Sequence, residues 1–423
     1  MPETPRELAG ELLALCLPAR CVEGLPVHKA LDPESPSRGG PACRSSHACP
    51  PPAENPSHAA SPADSDETHW EALISQAIQQ GVAPLVAVRS RGLSLPVAVR
   101  ERLEALYRAN ALRNLRLAAE EARVSAALDS AGVRHWTLKG PGLSERLYGD
   151  IGVRQISDLD FLIEPANLAQ TDALLAELGF RRQTAGRIDS LSAAQELLYV
   201  REAGTARGTT NRATVPPAAF LDLHQRLLPY VRRDALAARV FREGLTPENL
   251  LLYLCANQIT HRFARLRYLA DVSAFLDREA ATLDWDCFLR SARALPWGPG
   301  VGLALRWASQ FSNSPAPEHV LHGLKANPIG DLLLRRTLGA SAAEAASRAR
   351  LLDSSAGAAV PLAAAYLSRP SAYSIAWNLL LPSRAYLREQ TGAPADQPLS
   401  PAYAARLLQK IPTAIRHLLQ PQR

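Results

Sequence analysis

The sequence predicts an α+β protein in which a small sheet flanked by helices is followed by a mostly α-helical C-terminal half. Three observations lead there. Short strand-type segments cluster between Val133 and His224, helical periodicity fills most of the stretch from His69 to Ser130, and after Leu227 helical periods broken by Gly and Pro run to the end. With 423 residues, 47% of them hydrophobic, the chain can bury enough apolar surface for two or three domains.

Taken in order, residues 1–30 hold a short helical segment, about Glu7 to Leu17. Residues 31–68 are a Pro/Ser-rich linker. Between Pro33 and Asp66 large apolar side chains are too few to form a core, so disorder is expected there. Residues 69–132 form a helical part whose long helix, Val97 to Ser130, places Leu103, Leu106, Tyr107, Leu117, Val124 and Leu128 at helical intervals before Gly132 stops it. The sheet occupies 133–230. Val133 to Leu138 reads as its first strand, and Lys139-Gly140-Pro141-Gly142 turns into a short helix, Leu143 to Tyr148. An apolar strand carrying both Asp158 and Asp160 and running to Ile163 follows, then a helix from Pro165 to Leu178, strands at Glu196–Arg201 and Ala219–His224, and a polar loop from Gly204 to Pro217 between those two strands. Residues 231–423 are helical, beginning with Ala235–Arg242, Pro247–Phe263, Leu266–Leu276 and Trp285–Ala294.

The chemistry concentrates in Ser157-Asp158-Leu159-Asp160-Phe161-Leu162-Ile163. Side chains alternate across a strand, so Asp158 and Asp160 share one face while Leu159, Phe161 and Ile163 point to the core. Two neighbouring carboxylates repel each other unless a cation sits between them, and magnesium, with manganese as a substitute, takes oxygen ligands while leaving positions for phosphate oxygens. Asp222 and His224 share a face of the Ala219–His224 strand. If that strand neighbours the first, Asp222 joins the pair as a third metal carboxylate. Upstream, a glycine-bearing turn at a helix N-terminus offers N–H groups to an anion. Gly140 supplies that turn for phosphates and Lys139 adds a point charge, while Arg154 either forks onto a phosphate or anchors the loop before the carboxylates. His224 reads as a hydrogen-bonded sheet histidine, with a phosphate contact as its other reading, and Tyr148 as a packing residue. Arg267 and Asp271 read as an intrahelical ion pair, and His261 with Arg265 as an exposed face.

These residues resemble a known family. Lys139-Gly140, Tyr148, Arg154, Ser157 to Asp160, Leu178-Gly179-Phe180 and Asp222-Leu223-His224 are similar to the uncharacterised bacterial nucleotidyltransferases of the polymerase-beta superfamily. The likeness continues through Thr246 to Leu251, His261, Arg265 to Asp271 and Leu283-Asp284-Trp285, covering about Leu95 to Gln310, and less specifically at Leu381-Pro382-Ser383. It implies a small mixed sheet and a catalytic core in 133–230 that transfers a nucleoside monophosphate from a nucleoside triphosphate to an acceptor, releasing pyrophosphate. Asp158, Asp160 and Asp222 carry over as the metal carboxylates. The superfamily places a serine directly after the first glycine of its turn and uses a shorter connection to the carboxylates, whereas this chain has Gly140-Pro141-Gly142-Leu143-Ser144. The acceptor, whether protein, small molecule, sugar or RNA, and the oligomeric state are not specified.

Other classes are constrained. An excess of 47 Lys and Arg over 41 Asp and Glu, a formal charge of +6, is compatible with nucleotides or nucleic acid, but no basic tract with interleaved aromatics marks a groove reader. Leu12 to Leu17 is too short for a signal peptide, and Pro361, Arg369 and Pro370 interrupt the apolar stretch from Ala356 to Leu381, so a cytoplasmic protein without stable membrane insertion is expected. The six cysteines match no paired zinc pattern; Cys43, His47 and Cys49 lie in the linker. Two alternatives stand beside the transferase: a catalytically inactive nucleotide-binding or regulatory protein of the same fold, and a nucleotide-sugar glycosyltransferase using its Asp-x-Asp.

Overall fold

The computed structural model describes residues 10–12, 15–16, 62–183, 196–202, 217–228, 234–261, 263–295, 297–326, 328, 331–332 and 398. The polar loop after Gly204, Cys43, His47 and Cys49, and the segments Ala356–Leu381 and Leu381–Ser383 lie outside them. Among the described residues, helical residues 10–12 and 15–16, which fall in the short N-terminal helix expected from sequence, and the helices α1 (Pro62–Gln80), α2 (Ala83–Arg89) and α3 (Val97–Ser130) precede the sheet. The helix expected from His69 therefore starts within the Pro/Ser-rich stretch. Proline at the start of a helix costs nothing, because its missing N–H would have no intrahelical partner there. α3 has the boundaries its sequence predicts, set by Pro96 before it and Gly132, at φ +69°, behind it.

The sheet has five strands: β1 (His135–Thr137), β2 (Leu159–Ile163), β3 (Arg181–Arg182), β4 (Glu196–Glu202) and β5 (Pro217–His224). Between them lie α4 (Pro141–Tyr148), a 3₁₀ turn at Pro165–Asn167 and α5 (Leu168–Glu177). The order is β1-β2-β5-β4-β3, parallel between β2 and β5 and antiparallel elsewhere, so the sheet is mixed. β1 is shorter than Val133–Leu138, and Asp158 stands at the bend just before β2 rather than inside it. The two-residue β3 gives too short a pattern to be read from sequence.

All five residues of β2 are buried, and the two faces differ in kind. Leu159, Phe161 and Ile163 join Leu221 and Leu223 of β5 in a core closed by Leu117, Val124 and Leu128 of α3 and Leu175 of α5. Each such side chain contributes roughly 1.5–3 kcal/mol on full burial. On the other face Leu162 belongs to a larger core shared with α1, α2, α4 and the C-terminal helices. Those helices are α6 (Ala235–Glu243), α7 (Pro247–Thr260), α8 (Leu266–Glu279), α9 (Trp285–Ala294), α10 (Gly298–Ser309) and α11 (Glu318–Gly323). Side-chain caps set three of their starts: Asp234 accepts from the Ala237 amide, Thr246 from Asn249 and Asp284 from Cys287. Among the described residues no helix is long and apolar enough to cross a membrane.

Candidate active site

The site forms where β1, β2 and β5 meet α7. In the parallel register Asp160 lies opposite Asp222 and Leu162 opposite His224, which puts Asp160, Asp222 and His224 on one face. The Leu138 amide donates to the Asp160 carbonyl at 2.9 Å, so Lys139 emerges beside that carboxylate. Lys139 Nζ lies 3.1 Å from Asp160 Oδ1, and His224 Nε2 lies 3.0 Å from the same oxygen. An ionised carboxylate only accepts, so His224 must carry its hydrogen on Nε2. The histidine expected to hydrogen-bond within the sheet does so, to the central carboxylate itself.

Asp160 is 2% exposed. Burial alone would raise its pKa, but the Lys139 charge and the His224 hydrogen bond hold it well below the usual carboxylate range. Burial likewise acts to lower the Lys139 pKa, and Asp160, followed by Tyr253, Tyr268 and Asp158, raises it well above the ordinary value. The pair is therefore fully charged near neutral pH. Asp158 and Asp222 are only partly buried, and Ser157 Oγ donates to Asp158 Oδ1 at 3.0 Å.

Two residues of α7 complete the surroundings of Lys139. Asn257 Oδ1 accepts from Nζ at 3.4 Å, and the Tyr253 ring centroid lies 5.9 Å from it. Neither is legible from sequence motifs, because the contact spans 118 residues. Their i,i+4 spacing on a helix that is otherwise strongly apolar was the available signal.

The turn at Gly140 has a neighbour that sequence reading missed. Gly140 adopts φ +124°, and a β-carbon there would lie 2.6 Å from Glu121 Oε2 of α3. Among the described residues no donor reaches that buried oxygen, and burial pushes the Glu121 pKa up to about 7. An acid therefore flanks the turn expected to take phosphate, and in its neutral form it repels no anion.

The long connection from Gly140 to Asp158 is stitched to α3. Asn110 Nδ2 donates to the Gly152 and Arg154 carbonyls at 2.8 and 2.9 Å, and Asn114 Nδ2 donates to those of Ile151 and Arg154 at 2.6 and 2.8 Å. Ser144 Oγ donates to the Asp150 carbonyl and accepts from the Arg154 amide. Two asparagines one turn apart inside a helix are poor helix formers, a hint that they hold other backbone.

Arg154 ends this loop and faces α8. Its Nε donates to both carboxylate oxygens of Asp271, at 3.2 and 2.9 Å, and the Tyr148 hydroxyl donates to the same residue at 3.0 Å. Of its two expected roles, the geometry supplies the anchor. The intrahelical pair expected between Arg267 and Asp271 is corrected accordingly: Asp271 belongs to Arg154 and Tyr148, and Arg267 Nη2 donates to the Tyr268 hydroxyl at 2.6 Å.

Among the described residues no group of three or more His, Cys, Asp or Glu side chains is gathered to hold a metal by itself. The facing Asp160 and Asp222 still offer hard oxygen donors of the number magnesium uses when substrate phosphates complete its shell.

The model of a family described as "uncharacterised nucleotidyltransferase" matches residues 66–313, well over half of the chain. The chain belongs to this family. The family's description implies a general nucleotidyltransferase activity and a nucleoside triphosphate as substrate. The match begins in α1 and ends beyond α10, so the family's signature includes the helices that bring Tyr253, Asn257 and Asp271 to the sheet. No curated protein and no solved structure matches the chain.

Proposed function

We propose that the protein transfers a nucleoside monophosphate from a triphosphate to an acceptor hydroxyl or phosphate by polymerase-beta-like chemistry. The observation that carries this is the placement of Asp160, ionised between Lys139 and His224, directly opposite Asp222 in the β2/β5 register. Asp158, Asp160 and Asp222 would hold magnesium together with the triphosphate oxygens. Bound there, the ion would neutralise charge on the attacking and leaving oxygens.

This chain's own groups do the rest. Lys139 turns from Asp160 toward the outgoing phosphates, with Asn257 and the Gly140 turn limiting where it can go. The acceptor oxygen bonds to the α-phosphorus as the bond to the bridging oxygen breaks, and pyrophosphate carries the electron pair away. Asp222, partly open to solvent, takes the acceptor proton. Positioning and charge supply most of the catalysis.

One observation favours a second reading. Asp160 is already satisfied by Lys139 and His224, which suits a protein that binds triphosphate without turnover. Incubation with each α-labelled triphosphate, magnesium and cell extract separates the two. Label transfer with pyrophosphate release, lost on the order of a thousandfold in Asp160→Ala, supports transfer. Binding without pyrophosphate release supports the second reading, and release of nucleoside diphosphate would point to glycosyl transfer.

A further inference from the structure

The α7–α8 corner carries a stacked aromatic group that the proposed chemistry does not use. Tyr253 and Asn257 of α7 and His261, the residue that caps its C-terminal end, stand at successive four-residue intervals, so they continue one ridge. Lys139 lies against the first two. His261, exposed at the helix end, stacks on the Tyr268 ring, with centroids 4.4 Å apart and planes at 11°. The Arg267 guanidinium lies 4.7 Å from that ring's centroid. Tyr268 is also within electrostatic reach of Lys139, which ties the stack to the pair at Asp160.

Several contacts pin the corner. Phe263 is the one non-glycine residue with positive φ, +57°, among the described residues, and its side chain is buried edge-on against Trp307. Arg265 donates to the Gln79 carbonyl, and Gln80 Oε1 accepts from the Leu266 amide at 3.0 Å. Gly81 packs so close to Arg267 that a β-carbon would lie 2.8 Å from its Cδ. A backbone strained and pinned on several sides holds the aromatic group in place before any ligand arrives.

We propose that His261, backed by Tyr268 and Arg267, is the platform on which the base of the nucleoside triphosphate stacks while its phosphates lie at Lys139. This deepens the transferase reading and rests on it. The scale is right, since four residues advance a helix by about 6 Å, so the Asn257-to-His261 step spans the order of a nucleoside. A planar heterocycle is the class of ligand that an exposed aromatic ring, backed face to face by a second ring, selects, and stacking tolerates every base.

The test is calorimetric binding of each nucleoside triphosphate, and of inorganic tripolyphosphate, with magnesium, to the full chain and to His261→Ala and His261→Trp. The expected result is about a tenfold weaker affinity for nucleoside triphosphate in His261→Ala, restored in His261→Trp, with tripolyphosphate unchanged. Equal binding of nucleoside triphosphate by wild type and His261→Ala overturns the platform, as does equal weakening toward tripolyphosphate. Wild-type protein that binds neither ligand overturns the triphosphate reading itself.

Discussion

Two buried ion pairs lie beside the sheet, and the contrast between them separates chemistry from architecture. In Arg154–Asp271 the Nε donor is shared between the two oxygens, at 3.2 and 2.9 Å, and a second donor, Tyr148, bonds the same carboxylate. Lys139–Asp160 is made through a single oxygen at 3.1 Å, with other carboxylates close by and an amide, Asn257, holding the lysine from behind. A guanidinium buried against one carboxylate that Tyr148 also bonds has no other bonded acceptor to turn to among the described residues. A compact ammonium among several acceptors can exchange partners when phosphates arrive.

The difference can be broken experimentally, beginning with the largest effect. Asp271→Ala strands Arg154 and the Tyr148 hydroxyl in a buried site, and denaturant unfolding is expected to show a loss of about 3–5 kcal/mol. Gly140→Ala comes next, at about 1–3 kcal/mol, because φ +124° strains any residue with a β-carbon even if Glu121 swings aside. Glu121→Gln addresses pH. The folded-state pKa of about 7 lies above the ordinary 4.5, so between those values the folded protein keeps a proton that the unfolded chain has lost. Stability of the wild type therefore falls as pH rises through that window. The glutamine variant should flatten the profile by on the order of 1 kcal/mol, after allowance for partial solvent screening. Asn257→Ala is the smallest: its long contact to Lys139 suggests a loss of turnover of about tenfold or less, with folding unchanged. Wild-type turnover in that variant would remove Asn257 from the site.

How much of this was legible follows from range in sequence. α3 was readable to its ends because its stop signals are local, a proline before Val97 and a left-handed glycine after Ser130. Asp160 and Asp222 were readable because alternation assigns a face once a strand is recognised, and the β2/β5 register then sets them opposite each other. Glu121, Asn257 and the true partner of Asp271 were not. Each meets its neighbour across a tertiary gap that no periodicity encodes, and Asp271 sat at helical spacing from a nearer arginine that instead bonds Tyr268. The short β3 and the early start of α1 escaped for the opposite reason, too little or too ambiguous local pattern.

The most direct measurement compares Asp160→Asn with Asp271→Asn, following pyrophosphate release and unfolding free energy in the same preparations. Asp160→Asn is expected to lose turnover on the order of a thousandfold while shifting stability by about 1 kcal/mol, since Lys139 retains Asp158 as a counter-charge. Asp271→Asn is expected to lose stability first. Undiminished pyrophosphate release from folded Asp160→Asn would contradict the account.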